Sequence, residues 1–187
     1  MGIAAIVLAG GSSSRLGRPK QLVVHRGRTL VRGAAEEALA APCDRVLVVL
    51  GAYASDVQAA LESLPIEIVV NAEWKEGVAS SIRCGVEWAS RQGHDAAMLV
   101  ACDQPRLSAS HLRRLTEAYD AGARIVASRY AGALGVPVLF GRSEFSALAQ
   151  LSGDAGARRM VQAVGAVAVD WPEGEFDVDT PDDLAHL

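Results

Sequence analysis

Apolar, often β-branched runs recur along the chain at Ile3–Ala9, Val46–Leu50, Ile66–Val70, Ala96–Ala101, Ile125–Ala127 and Val167–Val169. Several keep no polar residue at alternate positions, the pattern of a strand covered on both faces. Between them lie stretches of helical period: Thr29–Ala41, broken by Pro42, then Tyr53–Leu64, then Val78–Arg91, ended by Gly93. Ser108–Tyr119 opens on a serine suited to capping and closes near Gly122, Ala155–Val164 is another, and Pro181 opens a last short helix. Strand and helix therefore alternate, which predicts an α/β fold, a doubly wound and mostly parallel sheet flanked by helices. Tyr130–Gly141, with Gly132, Gly135 and Pro137, reads as a long irregular loop on the substrate side. The length of 187 residues suits a single domain spanning 1–187.

In such sheets ligands bind beyond the carboxyl ends of the strands. After Ala9 comes Gly-Gly-Ser-Ser-Ser followed by Arg15, Arg18 and Lys20. Gly10 and Gly11 allow a sharp turn whose N–H groups can face an anion, while Arg15 offers a planar fork and Lys20 a point charge. Lys20 and Lys75 are the only lysines among 18 basic residues. A plain tight turn is the competing reading, since neither GxGxxG nor GxxxxGK[ST] is present.

Asp103 follows the run Met98–Ala101 closely and stands at a strand end, where it suits either Mg²⁺ or a role in the Gln104–Pro105 turn and the helix after it. In Asp177-Val-Asp179-Thr180-Pro181-Asp182-Asp183, alternation puts Asp177 and Asp179 on one face. Asp182 and Asp183 fall in the first turn of a helix and suit its dipole; Asp179 is the stronger metal candidate, with an N-cap role for Asp179 or Thr180 as the alternative. Asn71 to Ser81 runs from a strand end into a helix start, with Ser80 or Ser81 free to cap or to meet a ligand, and with Trp74 read first as packing.

The net charge of −4 and the absence of a basic stripe interleaved with aromatics argue against nucleic acid as a partner. No apolar run reaches the roughly 18 residues of a membrane span, no secretory signal opens the chain, and a cytoplasmic protein is expected. Cys43, Cys84 and Cys102 have no CxxC spacing and read as reduced structural thiols; His25, His94, His111 and His186 are isolated.

Five motifs in order, LAGGSSSRLGRPK, N-x-x-W-x-x-G-x-x-x-S-x-x-x-G over Asn71–Gly85, CDQP, SGDAGAR over Ser152–Arg158 and DVDTPDD, resemble the molybdenum cofactor nucleotidylyltransferases, especially the cytidylyltransferase branch. The resemblance covers essentially the whole chain. It implies a nucleotide-diphospho-sugar-transferase-like, Rossmann-like fold and Mg²⁺-dependent transfer of CMP from CTP to the terminal phosphate of molybdenum-molybdopterin, a phosphorylated pterin, with release of pyrophosphate. By that resemblance Gly10, Gly11, Arg15 and Lys20 would hold the triphosphate. Leu8, Ala9, Asn71, Gly77 and Ser81 would complete the nucleotide side, and Asp103 and Asp179 would bind metal. Arg15, Lys20 and Asp103 would be catalytic, with Gln104, Asp154 and Arg158 toward the acceptor. A molybdenum hydroxylase is the implied recipient of the product.

The first turn departs from this branch. The cytidylyl branch usually reads LAAG there, whereas LAGG is more typical of guanylyl transfer, and Gly10 is expected to leave room beside the nucleotide. CTP and GTP therefore stay open, with three motifs favouring CTP. A cofactor-insertion protein without turnover and a small redox enzyme are alternatives of other classes.

Overall fold

The computed structural model describes every residue except Met1, Ala155 and Val164, and every described side chain except those of Arg158, Arg159 and Ala163. The chain runs β1 (Ile3–Ala9), a small hairpin of β2 (Val24–His25) and β3 (Arg28–Thr29), α1 (Leu30–Leu39), β4 (Arg45–Leu50), α2 (Ala54–Ala60) and β5 (Glu67–Val70). It continues through α3 (Val78–Arg91), β6 (Ala96–Ala101), α4 (Ala109–Asp120), β7 (Ile125–Tyr130), β8 (Ala133–Gly141), α5 (Phe145–Leu148), α6 (Arg158–Ala163) and β9 (Val167–Asp170).

Seven strands form one sheet in the order β5-β4-β1-β6-β8-β7-β9. β1 pairs in parallel with β4 on one side and β6 on the other, so the chain reverses its winding direction at the end of β1. Loops leave that point to opposite sides and open a crevice. Both faces of β1 are covered: Ala5, Val7 and Ala9 pack with α1 and α4, and Ala4 and Ile6 with α3. That double burial is why the run Ile3–Ala9 shows no alternation. Gly85 lets α3 lie close on β1, since a methyl there would stand 2.5 Å from Ile6.

Ser108 caps its helix as expected, while Thr29, expected as the first helical residue, is the cap of α1. Thr29 Oγ1 accepts from Arg32 N–H at 3.4 Å and Ser108 Oγ from His111 N–H at 3.3 Å, each satisfying a donor that the first helical turn leaves orphaned. Asp183 accepts from the N–H of Thr180 at 2.7 Å and opens a 3₁₀ segment, Pro181–His186, in place of an α-helix. The second helix stops at Ala60 rather than Leu64, with Ser63 beyond it at φ 71°. The start expected for α6 at Ala155 lies outside the described residues, and the helix itself begins at Arg158.

One element departs from expectation. Tyr130–Gly141 is not a loop: Ala133–Gly141 is β8, antiparallel to both β6 and β7 inside the sheet. Pro137, which argues against an interior strand, sits in an irregularity. β7 pairs Ala127 with Val138 but the next residue, Ser128, with Gly135, so Val136 and Pro137 have no partner on β7. The ladder to β6 ends at Val138, and Pro137 needs no N–H there. Ser128 Oγ donates to Pro137 O at 2.7 Å, and buried His111 Nε2 lies 2.7 Å from the same hydroxyl. Nε2 therefore carries the imidazole proton, while Arg114 donates to Nδ1 at 3.0 Å.

A third, smaller cluster joins Leu16, Val23, Leu30 and Val178, with Phe176, Leu184 and Leu187 against it. The last dozen residues thus fold back over the segment that follows β1. No described helix is long and apolar enough to cross a membrane.

Candidate active site

A cleft of about 910 Å³ opens at the carboxyl ends of β1 and β6, floored by Leu8, Ala101 and the start of β8. Leu8, Ala9, Gly10, Gly11, Arg15 and Lys20 all line it, so the first motif reaches the cleft as a unit. Ser81, Gly77 and Asp103 line it too, and so does Trp74, whose indole thus meets the cavity as well as packing.

The charged groups converge across long stretches of chain. Lys20 Nζ donates to Asp103 Oδ2 at 2.5 Å and to Asp179 Oδ1 at 3.0 Å, and Arg15 Nη2 donates to Asp179 Oδ2 at 2.7 Å. Burial alone would lower the pKa of Lys20, but Asp103 and Asp179 outweigh it and raise the value, so the ammonium stays charged. Asp179 is brought there by Val178, whose side chain is fully buried and whose N–H donates to Asp103 O at 2.9 Å. The cap of the following segment falls to Asp183 and Thr180, which leaves the Asp179 carboxylate to the cations.

Asp177 joins them, although the sequence favours Asp179 alone. Carboxylate oxygens of Asp103, Asp177 and Asp179 lie within 4.8 Å of one another. Desolvation and the facing charges of Asp103 and Asp179 push the Asp177 carboxyl upward, the response of a carboxylate short of positive charge. An all-oxygen set of this kind fits a hard divalent cation such as Mg²⁺. Cys102, next to Asp103, is no nucleophile: burial and the Asp103 charge push its thiol up to about 12.

Gly77 and Asp154 line the cleft side by side. The φ of Gly77 is 111°, and a methyl there would collide with Asp154 Oδ1 and stand 2.8 Å from Gly153 O. Ala79 N–H donates to Gly153 O at 3.1 Å, docking Gly153 on the start of α3 and bringing Asp154 to the cleft. Arg158 opens α6, but its side chain lies outside the described residues.

Three expectations change. Asn71 does not line the cleft: it is buried, donates to Ser80 Oγ at 2.8 Å and Ser81 Oγ at 3.1 Å, and accepts from Glu73 N–H at 2.9 Å. It orients Ser81, and Ser80 bonds to the carbonyls of Glu73 and Gly77 instead of capping α3. Gln104 is also turned inward, with Nε2 donating to Gly174 O at 3.1 Å, so it ties the end of β6 to the 3₁₀ turn Pro172–Glu175 rather than facing the acceptor. The space beside Gly10 is not open either, because a methyl there would meet Ser81 Oγ at 2.9 Å.

Gln21, which the sequence does not single out, holds the loop from below, bonding to the carbonyls of Ala9 and Gly11. No local signal marks it, since its side chain bonds to backbone ten and twelve residues away.

Comparison with known proteins agrees with this geometry. Residues 5–168 match the MobA-like NTP transferase domain. The nicotine blue oxidoreductase of Paenarthrobacter nicotinovorans is 39% identical over 165 residues, covering 83% of this chain and 79% of that protein. The molybdenum cofactor guanylyltransferase of Rhodobacter capsulatus is 32% identical over 197 residues, covering 100% of this chain and 95% of its own. Among solved structures, Rv0371c of Mycobacterium tuberculosis H37Rv superposes with a TM-score of 0.86 at 34% identity, covering 100% of this chain and 96% of that one. A second structure of Rv0371c, a complex with manganese, gives 0.81 at 32% identity, with 100% and 98% covered. A glycine-rich loop at the winding reversal, with two cations facing three carboxylates, is thus found in a chain that belongs to the MobA-like NTP transferase domain family.

Proposed function

We propose that the protein is a molybdenum cofactor nucleotidyltransferase that moves CMP from CTP to the terminal phosphate of molybdenum-molybdopterin and releases pyrophosphate. The observation that carries this reading is the meeting of Arg15, Lys20, Asp103 and Asp179 at the mouth of the Gly10–Gly11 loop. The name of the Rhodobacter capsulatus relative supports the acceptor, and the CDQP, SGDAGAR and DVDTPDD motifs support CTP over GTP.

An oxygen of the acceptor phosphate attacks the α-phosphorus of the nucleotide, a new P–O–P bridge forms, and the bond from the α-phosphorus to the bridging oxygen breaks as pyrophosphate leaves with that electron pair. The nucleophile is already an anion, so no Ser, Cys or His need take its proton or carry a covalent intermediate. The protein's work is alignment and charge neutralisation. Loop N–H groups seat the β- and γ-phosphates, and Lys20 and Arg15 balance charge on the α-phosphate and leaving group. Asp103, Asp177 and Asp179 would hold Mg²⁺, which when bound supplies further neutralisation of the phosphates; the manganese complex of Rv0371c supports a divalent ion. Lys20 and Arg15, paired with Asp103 and Asp179 in this structure, would turn to the triphosphate as it enters. Asp154 borders the acceptor.

The test is pyrophosphate release by purified protein with Mg²⁺, molybdenum-molybdopterin and each of the four NTPs. Release with CTP above GTP is expected. GTP used at higher kcat/KM would replace the base assignment, and no release with any NTP would leave a binding or insertion protein.

A further inference from the structure

We infer that Gln21 is a positioning residue that aims the glycine-rich loop at the triphosphate, a role that rests on the nucleotidyl-transfer reading above. Gln21 is 1% exposed and sits beneath the loop. Its Nε2 donates to Ala9 O at 2.9 Å and Gly11 O at 2.7 Å, the carbonyls on either side of Gly10. Gly10 O itself accepts from Ala52 N–H at 3.0 Å. Three successive carbonyls are therefore held by the protein.

That fixes more than the carbonyls. In a trans peptide unit the C=O of one residue and the N–H of the next point in opposite directions. Pulling the carbonyls of Ala9, Gly10 and Gly11 into the protein sets the directions of the N–H groups of Gly10, Gly11 and Ser12, all three of which line the cleft. The N–H groups of Gly11 and Ser12 have no acceptor among the described residues. Successive free amides held this way form an anion-binding concavity.

A carboxamide suits the place because one planar group offers two donors and an acceptor. Ser13 Oγ donates to Gln21 Oε1 at 3.4 Å and accepts from Lys20 N–H at 3.0 Å, so the same side chain is linked to the residue that carries the catalytic ammonium. A glutamate of equal shape would turn oxygens toward two carbonyl oxygens, and a methionine would fill the volume with no donor.

The experiment measures the affinities of CTP, CMP and inorganic pyrophosphate by calorimetry with Mg²⁺, for the wild type, Gln21→Glu and Gln21→Met, with thermal midpoints recorded beside them. Losing buried hydrogen bonds that aim the loop should weaken CTP and pyrophosphate about tenfold in Gln21→Met and roughly a hundredfold in Gln21→Glu. CMP, which lacks the β- and γ-phosphates, should bind both variants nearly as well as the wild type, so the CTP-to-CMP ratio collapses. A ratio preserved in both variants would overturn the inference and leave the nucleotide reading standing. Equal losses for CTP and CMP, tracking a fallen midpoint, would reduce Gln21 to a purely structural group. A wild type that binds neither CTP nor pyrophosphate would remove the triphosphate reading and the inference with it.

Discussion

Around Lys20 the cleft is held by ion pairs that join distant stretches of chain, residues 15 and 20 to 103 and 179. Around Asp154 it is held by close backbone approach, with Gly77 against Gly153, and a buried His111–Ser128–Pro137 chain fixes the middle of β8, where Val136 and Val138 line the cleft. The first wall must exchange partners when a charged ligand arrives, because its cations are already paired. The second is braced from outside the cleft lining by Arg83, which pairs with Glu76 and Glu73 and donates to Leu151 O, while the described residues that line the cleft there form no ion pair, so that wall is set by shape. Charge should therefore decide turnover and nucleotide affinity on one side, and geometry should decide stability and acceptor fit on the other.

The strongest test of the charged wall is Lys20→Ala. Removing one preorganised contact to developing charge costs about 2.7–4 kcal/mol, a hundredfold or more in turnover, with the fold intact. Near-normal rates at saturating NTP would dissolve the contrast.

On the shape-held wall, His111 should make stability fall with acid. Burial, reinforced by Arg114, lowers its pKa from 6.5 to about 4, so the unfolded chain binds a proton that the folded one refuses between those values. Stability is then lost as pH falls from about 6.5 to 4, by at most about 3 kcal/mol. Thermal midpoints across that range should fall less in His111→Gln than in the wild type. An identical decline would assign the acid loss to other groups.

Gly77→Ala sharpens the contrast from the same wall. Its backbone lies at φ 111° and ψ 179°, a region that essentially only glycine occupies, at a cost of about 1–3 kcal/mol for other residues. The added methyl also pushes Gly153 and Asp154 away. KM for the acceptor should rise more than KM for the nucleotide, and the reverse order in steady-state assays would put Gly77 on the nucleotide side alone.

Gly10→Ala forces Ser81 Oγ aside, since 2.9 Å is too close for a methyl. A loss of about 1 kcal/mol in binding either nucleotide is expected, and adding Ser81→Ala should recover it. A changed CTP-to-GTP ratio with no rescue by Ser81→Ala would return Gly10 to direct contact with the base.

The mildest effect has the opposite sign. Asp179→Asn frees Arg15 and weakens the hold on Lys20, so pyrophosphate should bind about threefold to tenfold more tightly in a metal-free buffer, in proportion to the modest worth of partly exposed pairs, while metal-dependent turnover falls. Weaker metal-free binding would mean that Asp179 orients the two cations rather than occupying them.

Much of this was legible in the chain because it is local. β1 and α3 coincide with their apolar and helical periods, and the cap of α4 falls on Ser108, as its short polar side chain suggests. β8 was not legible because Gly132, Gly135 and Pro137 read as breakers, and only pairing on both sides shows that the proline falls in a gap of the ladders. The direction a polar side chain takes was equally hidden. Asn71 and Gln104 stand at strand ends, as ligand contacts do, yet both turn inward, whereas Gln21 draws no notice in sequence and grips the loop. Asp177 was half visible: alternation put it on the face of Asp179, but the crowding of three carboxylates appears only when Val178 docks on Asp103.

That docking also has a consequence in time. A chain emerging from the ribosome exposes Arg15 and Lys20 early, and Asp177 to Asp179 only after the whole sheet. The sheet and its two large clusters are all present before residue 176, so a chain synthesised to that point can bury this core while Arg15 and Lys20 still lack Asp179. A domain generally folds as a unit, and the residues of that unit's core are all in place before the acidic segment is added. The fold therefore precedes the reaction centre, and a polypeptide stopped short of Phe176 should accumulate as a compact protein with an unfinished centre.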